Sequence, residues 1–139
     1  MKHIFQFLLL VLLTTSSAIC DDMAKKVKIQ NENVVKAAVE EFSKELPKRV
    51  DRFTRLTSVS ADGVKIVYTF EISVPGKSDA DLVKEGKEKM KKRVVAGTCR
   101  SSERFLKSGI VISYHYISAE SGTTLFTYDV KRDDCPQIR

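Results

Sequence analysis

Between Ile110 and Val130 the chain reads IVISYHYISAESGTTLFTYDV. Side chains alternate across an extended strand, so Ile110, Ile112, Tyr114 and Tyr116 share one face of a first strand, Ile110–Ser118. Thr124, Phe126, Tyr128 and Val130 share one face of a second, Thr123–Val130. Ala119-Glu120-Ser121-Gly122 supplies the turn, and a cysteine stands outside each end, at Cys99 and Cys135. Two strands alone are marginal in water. The rest of the chain therefore has to extend this hairpin and cover its apolar face.

Upstream lies a second pair. Val64, Ile66, Tyr68, Phe70 and Ile72 alternate with Lys65, Val67, Thr69, Glu71 and Ser73, the pattern of a half-buried strand. A weaker extended signal, Phe53–Ser60, precedes it across Ala61-Asp62-Gly63, where Gly tolerates positive φ. Pro75-Gly76 closes the pair.

Two helices fit between and before these strands. From Glu32 on, Val35, Ala38, Val39, Phe42 and Leu46 form one stripe, with Asn31 or Asn33 able to cap its start and Pro47 set to end it. Ser78 precedes Asp79-Ala80-Asp81 at capping-box spacing. The helix that follows is expected to run to Ala96, with Leu82, Val83, Gly86, Met90 and Val94 inward and Gly97 as its stop. Ser101 or Ser102 can start a short helix through Lys107 that ends at Gly109.

The first twenty residues have a different character. Lys2, the apolar run from Ile4 to Leu13 and the small residues of Thr14–Ala18 make a secretory signal peptide, cleaved near Ala18–Cys20. Acylation at Cys20 would anchor the protein to a membrane, but Ile19 stands where a small residue is required. Residues 21–30, with charges and little periodicity, read as a flexible lead-in, and 31–139 as one α+β domain. Export places the chain in an oxidising compartment, where Cys99 and Cys135 are expected to pair.

Removal of 1–20 takes away Lys2 alone among the charged residues, so the formal net charge falls from +6 to +5. Outside the cytoplasm that balance does not point to nucleic acid. The mature chain keeps a single histidine, His115, and has no CxxC, which leaves too few ligands for a zinc or copper site. There is no nucleophile elbow and no phosphate-binding glycine pattern. No cofactor and no enzymatic activity are expected.

The strand faces turned away from the helices carry the functional content. Lys65, Val67 and Thr69, then Val111, His115 and Ile117, then Leu125 and Thr127 make a polar field interrupted by aliphatics. That is greasier than a fully solvated antiparallel face, and it is a candidate face for docking another protein as a peptide, helix or strand. His115 would make such docking pH-sensitive.

Leu46-Pro47, Val50-Asp51 and Thr54-Arg55-Leu56, followed by Cys99, Arg104–Ile110, Tyr114-His115-Tyr116 and Cys135, resemble a group of small exported bacterial proteins. Leu46, Pro47, Cys99, Leu106, Gly109, Ile110, Tyr114 and Cys135 are also similar to one class of type II secretion pilotins. Pilotins are disulfide-containing lipoproteins that bind a helix from the C-terminal end of the outer-membrane secretin. The resemblance implies a docking groove between helix and sheet. A secreted effector or inhibitor is the remaining alternative.

The expected architecture is α+β, in the order α-β-β-α-(short α)-β-β. It comprises a four-stranded antiparallel sheet of two hairpins, two main helices on one face and one disulfide.

Overall fold

The computed structural model describes residues 16–138. The elements are α1 (Ser16–Ser43), β1 (Lys48–Arg49), β2 (Thr54–Asp62), β3 (Lys65–Ile72), α2 (Asp79–Ser101), α3 (Glu103–Lys107), β4 (Val111–Ser118) and β5 (Thr124–Val130). A 3-10 turn follows at Arg132–Asp134. Most of the signal-peptide reading falls on residues outside this range. No helix of the described residues is long and apolar enough to cross a membrane.

The chain divides between Gln30 and Asn31 into two units. In the first, the segment read as a flexible lead-in, 21–30, is helical instead. Its charges sit four apart and pair along the helix, Asp21 with Lys25 at 2.8 Å and Asp22 with Lys26 at 2.9 Å. Such pairs support a helix that lacks an apolar stripe. Asn31 consequently caps nothing: it lies inside α1, and its Nδ2 donates to the Ser108 carbonyl at 2.6 Å.

In the second unit, one sheet runs β1-β2-β3-β4-β5. It is five-stranded and mixed, which corrects the four-stranded antiparallel expectation in two respects. First, Lys48-Arg49 forms a short edge strand antiparallel to β2. Second, β3 and β4 are parallel, with Lys65 opposite Val111 through to Ile72 opposite Ser118. The two hairpins do form, β2 with β3 and β4 with β5. Between them the chain must climb back over α2 and α3 before re-entering the sheet, and a crossover of that length sets neighbouring strands parallel.

The helices cover one face. Val35 of α1 is fully buried with Ile66, Ile110, Ile112, Leu106 and Val130, while Ala38, Val39 and Leu46 pack on that cluster. Leu82, Val83, Met90 and Val94 of α2 pack on a second cluster of Phe70, Ile72, Tyr116, Leu125, Phe126 and Tyr128. Aromatic rings tile the sheet between the helices. Tyr68 and Tyr114 are 5.7 Å apart, Phe70 and Tyr116 5.0 Å, and Tyr116 and Phe126 5.0 Å.

α2 begins where expected. The Ser78 hydroxyl accepts from the Asp81 amide, and the Asp81 carboxylate accepts from the Ser78 amide, each at 3.2 Å. Its end differs from expectation, because the helix continues through Gly97 to Ser101. Thr98 and Cys99 hold this last turn against the core. The Thr98 hydroxyl is 2.7 Å from the Tyr114 hydroxyl, and Cys99 is bonded to Cys135 across a Cα separation of 5.5 Å. Tertiary contact outweighs the weak helix propensity of one glycine. Gly109 does act as the stop for α3, at φ +86°.

Candidate binding groove

On the covered face, hollows open beside the C-terminal half of α1 and the N-terminal half of α2. The loop entering β2 supplies one wall. The Asp51 carboxylate accepts from the Phe53 amide at 2.8 Å, the Ser73 amide donates to the Phe53 carbonyl at 2.9 Å, and the Val50 amide donates to the Thr54 carbonyl at 3.0 Å. So tethered, Phe53 remains 39% exposed and Val50 56%, although both are large apolar groups. The Arg52 guanidinium lies 5.4 Å from the Phe53 ring centre.

Between this loop and α2 lies a groove of about 290 Å³, lined by Phe53, Ile72, Val74, Leu82, Gly86, Met90 and Phe126 with Asp51 and Arg52 at its rim. Leu82, Gly86 and Met90 fall at successive four-residue steps on one face of α2. Gly86 makes the notch: a Cβ there would come 3.9 Å from the Phe126 ring, with room to spare. A second hollow of about 270 Å³ opens on the same face beside α1, walled by Phe42, Leu46, Leu56 and Tyr68 together with the charged Glu41, Glu45 and Lys48. Phe42, expected inward, is 38% exposed and rests its ring 6.0 Å from that of Tyr68.

The tyrosines of the sheet beneath the helices are uncharged at ordinary pH. Burial, then the neighbouring Tyr114, pushes the Tyr68 phenol up to about 12. Burial raises Tyr116 further, and Tyr114 is raised by burial against the opposing hydrogen bond with Thr98. Tyr128 donates to the Lys87 carbonyl of α2 at 2.6 Å, and burial, then Glu88, pushes it up to about 12.

The uncovered face holds most of the residues singled out from the sequence. Register places Thr69, His115 and Thr127 in one row across β3, β4 and β5, and Val67 beside Ser113 and Asp129 in the next. Lys65 and Val111 begin the parallel pair, and Ile117 lies opposite Glu71 near its end. Leu125 departs from this set. A bulge between Tyr116 and Ile117 of the β4–β5 ladder leaves it without a partner in register, and it packs in the core with Phe126. A bulge re-aims a side chain in this way.

The face is also largely satisfied from within. Lys65 pairs with Asp129 at 3.1 Å and Arg55 with Glu71 at 2.6 Å. The Ser113 hydroxyl donates to Asp129 at 2.6 Å, which holds that carboxyl below its ordinary range, aided by Lys65. Val67 is only 8% exposed and Ser113 2%.

Sequence reading placed Leu82, Gly86 and Met90 inward but did not identify them as a site, and it missed Phe53. The signal for the groove was the glycine itself, set in the middle of an otherwise large apolar stripe.

The fold and groove define a small disulfide-stapled α+β scaffold. The chain belongs to the family described as Domain of unknown function (DUF8479), whose profile matches residues 29–126. No curated protein sequence matches it.

Solved structures share the fold. A Pseudomonas aeruginosa protein thought to be secreted superposes with a TM-score of 0.70 at 9% identity, over 78% of this chain and 96% of that one. The type 2 secretion system pilotin EpsS of Vibrio vulnificus gives 0.69 at 12% identity, over 80% and 96%. The type II secretion pilotin AspS of Vibrio cholerae gives 0.65 at 14%, over 81% and 98%. At these identities the likeness is one of fold, and it meets the pilotin resemblance read from the residues.

Proposed function

We propose that this chain is an exported, non-enzymatic protein-binding module that receives an amphipathic helix in the groove between α2 and the loop entering β2, as a pilotin receives the tail of a secretin. The observation that carries this reading is the groove at Phe53, Leu82, Gly86 and Met90, apolar and open on the helix-covered face. An amphipathic helix lays alternating anchors into such a trough. The sheet's other face, whose charges already pair with one another, offers a partner less.

The leader in residues 1–20 supports export to the periplasm or beyond, and the shared fold of two pilotins supports the kind of partner. Membrane anchoring requires acylation at Cys20, an exposed free cysteine, and Ile19 before it disfavours that step. The test is calorimetric titration with a synthetic peptide of a secretin C-terminal helix. Micromolar binding that is lost when Gly86 is replaced by Leu supports the proposal, and no heat at all rejects the pilotin-like role. The fold shared with the Pseudomonas protein keeps one alternative, a secreted effector or inhibitor. Recovery of the chain in culture supernatant rather than periplasm would favour that alternative.

A further inference from the structure

The second half of α2 carries a feature that helix docking does not use. Lys89, Lys91, Lys92, Arg93 and Arg100 lie there with no acidic residue from Lys89 to Ser101. Cations complement a helix C-terminus, which accounts for Arg100 in the last turn but not for Lys91 and Lys92 beside a cavity. On one side of this half a cleft of about 600 Å³ separates α2 from the segment after β5, with Asp134, Pro136 and Gln137 as its far wall.

The helix contributes two adjacent rows, each stepped by four residues. The inner row, Lys91, Val95 and Cys99, descends from an exposed cation to half-buried valine and the buried disulfide. The outer row, Lys92, Ala96 and Arg100, is exposed throughout. None of the three cations makes an ion pair with a described residue; the Arg100 Nε donates to the Ala96 carbonyl at 3.3 Å.

Two carboxylates also border the cleft. Asp134 is engaged, accepting from the Lys131 amide at 2.8 Å. Glu88 stands at the end remote from Arg100. The cleft thus has an apolar floor with cations on its helix side at both ends, Lys91 and Lys92 near Glu88 and Arg100 at the other end.

We infer that this cleft binds a single-chain amphipathic anion of the fatty-acid carboxylate class. The chain lies over Val95, Ala96, Cys99 and Pro136, and the carboxylate is held by Arg100, with Lys92 adding positive charge along the same row. Sites for small organic ligands fall in this size range and combine apolar walls with a few placed polar groups.

The test is an NMR titration of the whole chain with dodecanoate below its micelle threshold, with dodecyltrimethylammonium of the same chain length as control. Dodecanoate is expected to saturate one site, at about 10 to 100 µM, with shifts at Val95, Ala96, Cys99 and Gln137 and none at Phe53 or Leu82. The cationic amphiphile is expected not to compete. K92E/R100E should weaken binding about tenfold or more. Ala96→Phe, which fills the floor from an exposed helix position, should abolish it while leaving the thermal midpoint in place. Equal binding of the cation, shifts elsewhere, or a response only to phosphatidylglycerol vesicles that Ala96→Phe leaves intact would overturn the inference. Because the shifts expected for a docked helix fall on other residues, the two readings fail separately.

Discussion

Thr98 of α2 and Tyr114 of β4 meet hydroxyl to hydroxyl at 2.7 Å, joining the crossover helix to the strand it delivers. The same threonine back-bonds to the Val94 carbonyl at 2.7 Å, so Tyr114 is bonded to a side chain already fixed on its helix. Thr98→Val keeps shape and removes the bond, leaving a half-buried phenol without that partner. The expected loss is about 1 to 2 kcal/mol in urea unfolding, with no change in m.

The disulfide closes a loop of 36 residues that contains α3, β4 and β5. Cys99→Ser with Cys135→Ser should cost about 3 to 4 kcal/mol through the freed entropy of the unfolded chain. Unfolding of the oxidised protein with and without reductant gives the same comparison without a mutation.

Gly86→Ala and Gly86→Leu should act in opposite senses on stability and binding. Alanine meets only an ordinary contact with Phe126, at 3.9 Å, and removes a helix-interior glycine, so the protein should gain about 0.5 to 1 kcal/mol. Leucine should fill the notch and reduce affinity for a helical peptide with the fold retained, as read by circular dichroism and calorimetry.

All four tyrosines titrate upward of their ordinary value, Tyr68 and Tyr128 to about 12. A raised phenol pKa means that the native state holds its proton more tightly than the unfolded one. The stability gained is complete below about pH 10, the unfolded phenol pKa, and is lost as pH rises toward 12. Spectrophotometric titration should show little tyrosinate at pH 10, then a steep rise as the protein unfolds.

At the acid end, the Asp79 carboxylate accepts from Ser121 at 2.6 Å and Thr123 at 3.0 Å, tying the start of α2 to the β4–β5 turn. These bonds, Ser121 foremost, hold its carboxyl below the ordinary value, and Ser78 does the same for Asp81. Their contribution is present above the unfolded pKa and disappears as pH falls through the lowered native one. Asp79→Asn should flatten the acid limb of the stability profile between about pH 4 and 2 relative to the native chain.

Much of the architecture was legible because its signals are local. The alternation in Ile110–Tyr116 and Val64–Ile72, the Ser78 and Asp81 box, and the stop at Gly109 each depend on a few neighbouring residues. Strand direction does not. Lys65, Thr69 and Glu71 against Ser113 and His115 give β3 and β4 one polar face each, the mark of antiparallel strands, whereas parallel pairs are usually buried on both sides. Here no helix among the described residues covers the second side of the parallel pair, so the pattern pointed the wrong way.

The helical state of 21–30 was missed for another reason. Its support is charge spacing, Asp21 to Lys25 and Asp22 to Lys26, rather than an apolar stripe. In the site, Gly86 was legible only as an inward position of the helix, and the nearness of Phe126 gives it meaning. Leu125 went to the wrong face because a bulge shifts alternation by one residue, and nothing in Thr123–Tyr128 announces one.

The central claim is that a helix docks in the groove between α2 and the loop entering β2. An isotope-labelled sample titrated with a secretin tail peptide, followed by two-dimensional amide NMR, tests it most directly. The account predicts saturating shifts at Phe53, Leu82, Gly86 and Met90 with His115 and Thr127 unmoved. Saturation that instead moves the Thr69, His115 and Thr127 row, or a spectrum that does not change, would contradict it.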